Sequence, residues 1–168
     1  MEEKILTPNR DKSKPPVMFV VRSFDINKPG TPVKELKGGV LGGALVQGVL
    51  HVNDEINIVP GIKLKDRWTP LKTKITGLQK AGKNIDEASP GGLLGLMTQL
   101  DPSLTKADSL AGSATGSEQI EVKNKLSVRV TLFEKMFGEE IKIAPLKQDE
   151  TILINIGTSR TAGVVKSV

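Results

Sequence analysis

The 168-residue chain has no cysteine and no tyrosine, one tryptophan, one histidine and only 3% aromatic residues. Without cysteine there is neither a disulfide framework nor a thiolate metal site, a composition that fits a reducing cytoplasm. The single histidine, His51, follows Val49-Leu50 on an expected strand. Alone it cannot build a metal site or a nucleophile–base triad, so it reads as structural and no metal is expected. Scarce aromatics argue against a surface that stacks successive unpaired bases, and leave contact with a nucleic-acid backbone or a protein open. No apolar run approaches the ~18 residues of a membrane-spanning helix, and the segment Met1–Leu6 is too short and too acidic for a signal peptide. A cytoplasmic chain with no membrane partner is expected.

Catalytic groups are equally sparse. Glu139 and Glu140 are adjacent, so on a strand they point to opposite faces and form no carboxylate pair. The phosphate-cradling pattern G-x-x-x-x-G-K-[ST] does not occur. Gly38-Gly39-Val40-Leu41-Gly42-Gly43 is glycine-rich but departs from G-x-G-x-x-G, and no helical periodicity follows it. Thr105-Lys106-Ala107-Asp108 matches the guanine-reading pattern of GTPases, a four-residue coincidence without a P-loop upstream. The chain by itself is expected to be no enzyme and to hold no cofactor.

What is present is charge and short apolar rhythm. The net charge is +5, but residues 61–83 hold seven basic side chains against Asp66, a net +6, whereas residues 84–108 sum to −3. Such a basic segment suits an anionic partner or a solvated face, and charge does not choose between them. Val17–Val21 is a continuous apolar run, as for a strand buried on both faces. Ile56 and Ile58 alternate with polar neighbours, as do Leu126, Val128, Val130 and Leu132, and again Ile152, Ile154 and Ile156. Turn signals recur at Lys28-Pro29-Gly30, Val52-Asn53-Asp54, Pro60-Gly61, Pro90-Gly91-Gly92 and Asp101-Pro102. An all-β fold of barrel or sandwich type follows. Helix is confined to a turn or two at Leu132–Gly138 and at Thr105–Leu110. The small polar stretch Ser113–Gln119 reads as the boundary between two domains.

Three segments resemble a known family. They are Arg22 to Gly30 (RSFDINKPG), Leu36 to Gly48 (LKGGVLGGALVQG) with the Val52–Ile56 and Val59–Gly61 stretches behind it, and Pro90 to Gly112 (PGGLLGLMTQLDPSLTKADSLAG). In this order they resemble the second domain of the gamma subunit of the heterotrimeric translation initiation factor of archaea and eukaryotes. The wider rhythm is similar to domain two of translational GTPases in general, including the bacterial elongation factor that carries aminoacyl-tRNA. RSFDINKPG and LDPSLTKAD separate the initiation-factor family from those relatives. Ser127–Gly138 and Leu153–Val165 resemble the first half of domain three.

The resemblance implies two β-barrel domains of the translational-GTPase type. Residues 1–14 would be a linker from an absent GTPase domain, 15–116 domain two, and 117–168 the first part of an incomplete domain three. It implies a role in delivering initiator Met-tRNA to the small ribosomal subunit, with GTP and Mg2+ held by the GTPase domain. Partners would be the alpha subunit, initiator tRNA, the small ribosomal subunit and the GTPase domain of the same protein. Carried onto this sequence, one alpha-docking loop spans about Asp25 to Lys37, with Asp25, Asn27, Lys28, Pro29, Lys34 and Lys37. A second spans about Gly61 to Thr69, with Lys63, Lys65 and Arg67. The tRNA acceptor end would lie near Gly38, Gly39, Gly42, Gly43, Gly91 and Gly92. Those glycines have an equal reading as bulges and corners, and Arg22 would either contact an anion or position the first loop. The alternative from a different class is a basic RNA-binding barrel of another translational GTPase or of ribosomal-protein type.

Overall fold

The structure is a computed structural model that describes residues 9–133, 135, 136, 139, 140 and 143–168. Two compact units are present, one of residues up to Val122 together with Gly157–Ser159, the other of Lys123–Ile156 and Arg160–Val168. The first contains strands β1 (Val17–Phe24), β2 (Val40–Gln47), β3 (Leu50–His51), β4 (Glu55–Leu64), β5 (Arg67–Lys80), β6 (Lys83–Ile85), β7 (Glu87–Ala88), β8 (Leu94–Thr98) and β9 (Ala114–Gly116). Six of them close on themselves in the order β4-β9-β1-β2-β8-β5 and back to β4. Every pairing is antiparallel. This is a closed barrel, and closure leaves no open edge among those strands.

Alternating side chains build the core. Met18 and Val20 of β1, Leu41 and Leu45 of β2, Ile56 and Ile58 of β4, Ile75 and Leu78 of β5 and Leu94 and Leu96 of β8 all point inward. Leu100 and Leu110, outside the strands, complete the same cluster. The polar neighbours of Ile56 and Ile58 stay partly or fully exposed, as the period of two requires.

Several expectations need correction. The run Val17–Val21 is not buried on both faces, because Val21 stands 44% exposed next to exposed Arg22. The β1–β2 register slips between Val20 and Arg22, so Val21 is the extra residue of a bulge. Pro60-Gly61 is not a turn between strands but an irregularity inside β4, where the register with β5 jumps between Ile58 and Ile62. The stretch Ser113–Gln119, expected as the boundary between domains, is itself partly in the barrel. Its first half is β9, which pairs with both β1 and β4 and closes the barrel.

In the second unit, β12 (Thr151–Ile156) and β13 (Ser159–Val164) form a pair. The expected strand Leu126–Leu132 is not a strand. Leu126, Val128, Val130 and Leu132 are 56, 69, 51 and 40% exposed and enter no ladder. Alternation specifies which face a strand would bury; it does not supply the neighbour that completes the hydrogen bonds. Helix was expected at Leu132–Gly138, yet β10 (Lys135–Met136) is extended and pairs with β11 (Glu139–Glu140). Glu134, Phe137 and Gly138 lie outside the described residues.

Candidate functional site

The loop between β1 and β2 is shaped by one side chain. Asn27 Nδ2 donates to the carbonyl of Lys37 at 2.8 Å, while its Oδ1 accepts from the Lys37 N–H at 2.7 Å. Two strand-like hydrogen bonds thus zip the two ends of the loop together. Asp25 Oδ1 accepts from both the backbone N–H and the Nδ2 of Asn27. These bonds, helped by Lys106, hold the Asp25 carboxyl below the ordinary range. At the tip, Lys28 O accepts from the N–H and hydroxyl of Thr31 around Pro29-Gly30, where Gly30 adopts φ +85°. Lys34 sits in a short 3-10 turn, Val33–Glu35. Asn27 is therefore a positioning residue, its amide spent inside the loop. Val33, 84% exposed, and the partly exposed Ile26 and Leu36 are surface features that a search for charges overlooked.

The second expected loop, Gly61 to Thr69, is a β-hairpin, the projecting ends of β4 and β5. Lys63 pairs with Trp68 and Leu64 with Arg67 across a two-residue turn at Lys65-Asp66, with Lys65 at φ +56°. All residues from Lys63 to Pro70 are exposed. Directly opposed residues share a face, so Lys63 lies with Trp68, and Leu64 with Arg67. Each face presents one large apolar and one basic side chain. Sequence reasoning named the basic residues and missed Leu64 and Trp68. The alternation of Ile62 and Leu64 with Lys63 and Lys65 was the available signal for a strand.

The expected acceptor-end residues divide into two places. Arg22, Gly42 and Gly43 line one surface slot with Val21, Leu93 and Gly95. Gly38 lies elsewhere, beside Leu36, Met97 and the Gln99–Pro102 turn. The glycines differ in what they tolerate. A Cβ at Gly38 would meet the carbonyl O of Thr98 at 1.8 Å, one at Gly39 the hydroxyl of Thr105 at 2.3 Å, and one at Gly43 the carbonyl O of Phe19 at 2.0 Å. Internal packing alone therefore requires glycine at these three positions. Gly42 is different: its nearest neighbour would be Arg22 Cβ at 3.7 Å, an ordinary contact. It pairs directly with Gly95 of β8, which is similarly roomy, so bare backbone of two strands floors the slot. Gly91 and Gly92 shape the bend before Leu93, both with positive φ.

Arg22 is oriented from below. Its Nε donates to Asp108 Oδ1 at 2.8 Å, and the same oxygen accepts the Ser23 N–H at 3.0 Å. The Arg22 bond first, then that of Ser23, holds the Asp108 carboxyl below its ordinary value. Thr105 and Asp108 both make their side-chain hydrogen bonds within the barrel unit. Asp108 is engaged with β1, and the Thr105 hydroxyl is turned inward to the carbonyls of Phe24 and Pro102. His51 bridges Asp54 and Glu87, each at 3.5 Å, and among the described residues no cluster of three metal-ligating side chains occurs. No helix among the described residues is long and apolar enough to cross a membrane.

Residues 38–108 match the family described as elongation factor Tu domain 2, and residues 124–168 match initiation factor eIF2 gamma, C terminal. Over 175 residues the chain is 50% identical to translation initiation factor 2 subunit gamma of Methanothermobacter thermautotrophicus, covering 99% of the chain and 43% of that protein. It is 49% identical to the subunit of Methanocaldococcus jannaschii over 175 residues, with the same two coverages. With that of Thermococcus kodakarensis the identity is 48% over 173 residues, 98% of the chain and 42% of the relative. The closed barrel and this near-complete alignment agree. The chain belongs to the gamma-subunit family of translation initiation factor 2, and spans under half the length of the relatives it matches.

Proposed function

We propose that this chain serves the delivery of initiator Met-tRNA to the small ribosomal subunit in the cytoplasm, its barrel docking the alpha subunit and holding the tRNA acceptor end. The observation that carries the docking role is the pair of pre-shaped projections. One is the Asp25–Lys37 loop, zipped by Asn27; the other is the Lys63–Pro70 hairpin, with Leu64 and Trp68 exposed between basic residues. Apolar anchors set among charges, on backbone that loses little entropy when bound, are what a specific protein interface needs. The basic residues Lys63, Lys65 and Arg67 complement an acidic alpha surface.

In this reading the acceptor end enters the slot floored by Gly42 and Gly95, where absent side chains admit a ribose-phosphate chain close to the barrel. Arg22 contributes charge at its rim. GTP and Mg2+ are ligands of the GTPase domain, and the barrel contributes no group to either. Calorimetric titration with the C-terminal domain of the alpha subunit tests the docking half. One-to-one binding that survives moderate salt supports it. A folded barrel that does not bind removes it, and leaves a basic RNA-binding barrel as the reading.

A further inference from the structure

The segment Thr105-Lys106-Ala107-Asp108 lies against the neck of the Asp25–Lys37 loop. Thr105 is fully buried between the two stalks of that loop. Its hydroxyl stands 3.2 Å from the Phe24 carbonyl on one side, and its side chain fills the space that a Cβ at Gly39 would need on the other. Lys106 Nζ stands 3.8 Å from Oδ2 of Asp25, a side chain only 18% exposed. The other oxygen of that carboxylate holds the backbone N–H and Nδ2 of Asn27, the residue that zips the loop. One carboxylate thus faces the zip with one oxygen and an ammonium with the other.

Lys106 reaches Asp25 because the backbone turns sharply behind it. Ala107 and Asp108 have φ +52° and +58°, the left-handed region that a side chain makes unfavourable. Two such residues in succession persist only where their surroundings hold them. Asp108 supplies the hold, its Oδ1 accepting from Arg22 Nε and from the Ser23 N–H of β1. Four consecutive residues, Arg22 to Asp25, are therefore each met by this one segment.

We propose that Thr105–Asp108 is a strap that positions the Asp25–Lys37 loop for its protein partner, with Lys106 the positioning residue at Asp25 and Asp108 the tie that keeps Lys106 there. The strap rests on the docking reading above and adds to it residues that lie outside the loop. Lys106 balances the charge of the carboxylate that holds Asn27 in place. The loop then meets the partner already shaped, and less conformational freedom is lost on binding.

The test is calorimetric titration of the 168-residue chain and its variants with the C-terminal domain of the alpha subunit. It is paired with carbon-detected NMR titration of Asp25 in the chain alone. Lys106→Met, at an exposed side chain, is expected to keep the melting temperature and to weaken binding about three-fold. It is also expected to raise the Asp25 midpoint, because a cation that favours the carboxylate is gone. Lys106→Arg is expected to restore both. Asp108→Gly removes the tie at a position where glycine is at ease, and is expected to weaken binding about ten-fold. In that background Lys106→Met is expected to cost little more, because the two residues act as one unit. Additive losses overturn the strap. Weaker binding in Lys106→Met with the Asp25 midpoint unmoved also overturns it, in favour of a direct contact between Lys106 and the partner. Unchanged binding in both single variants overturns the strap while the docking reading stands. If the unmodified chain does not bind, the docking reading falls and the strap with it.

Discussion

Arg22 and Asp108, 86 residues apart in sequence, meet through a 2.8 Å hydrogen bond from Nε to Oδ1 on the barrel surface. The same carboxylate oxygen takes the N–H of Ser23, and the Ser23 hydroxyl in turn accepts the N–H of Leu110 at 3.0 Å. The segment after β8 is thereby fastened to β1 at the bulge, and the guanidinium is fixed at the rim of the slot.

The first prediction concerns the charge state of that contact. The Asp108 carboxyl lies below its ordinary 3.8, with Arg22 the largest cause. A depressed carboxyl contributes stability that is present above the unfolded value and is lost as pH falls through the folded one. Carbon-detected NMR titration is expected to give a midpoint below 3.8 in the native chain and a higher one in Arg22→Gln. Identical midpoints would refute the assignment.

The Asn27 zip separates docking from stability. Asn27→Ala removes the loop's cross-link without touching the barrel core, so the melting temperature is expected to hold within a few degrees. Affinity for the alpha-subunit domain is expected to fall about ten-fold, the equivalent of about 1.4 kcal/mol of lost hydrogen bonding and pre-organisation. Unchanged affinity with the loop visibly loosened in NMR would show that its shape is not what the partner reads.

Gly42 and Gly43 are neighbours with opposite expectations. Gly43→Ala forces a Cβ to within 2.0 Å of the Phe19 carbonyl, so the barrel strands must part. A loss of more than about 2 kcal/mol is expected in denaturant unfolding, in the range of other overpacked interiors. Gly42→Ala has 3.7 Å of clearance and is expected to fold normally. A reversal of the two stabilities would contradict the geometry.

Thr115 is fully buried in β9, and its hydroxyl has no hydrogen-bond partner among the described residues. Thr115→Val keeps the shape and deletes the unpaired group. Stability is expected to rise by about 1 kcal/mol, seen as a melting temperature higher by several degrees. A decrease would indicate that the hydroxyl has a partner, a buried water for instance.

Trp68 is the sole tryptophan and is 56% exposed on the β4–β5 hairpin, so fluorescence reports on that element alone. Addition of the alpha-subunit domain is expected to shift the emission to shorter wavelength, and Trp68→Ala to weaken docking about ten-fold or more. Saturated binding with no spectral change would place the hairpin outside the interface.

The amino-acid sequence by itself determined the all-β character, the inward set at Ile56 and Ile58, the turn at Asn53 and the family, because period and turn chemistry are local properties of a few adjacent residues. It also located the two projecting elements, through the segments that carry the resemblance. Only the tertiary structure decided which glycines are held by internal packing and which leave a slot. Clearance at Gly38, Gly39, Gly42 and Gly43 depends on Thr98, Thr105, Arg22 and Phe19, far from them in sequence. The same holds for Asp108, which a four-residue pattern offers as a guanine reader and long-range pairing assigns to Arg22. The alternation at Leu126–Leu132 is just as clear as that of β4, yet it forms no strand among the described residues. A half-buried strand exists only where a second strand takes its hydrogen bonds and a core takes its apolar face. Neither condition is written within the seven residues themselves.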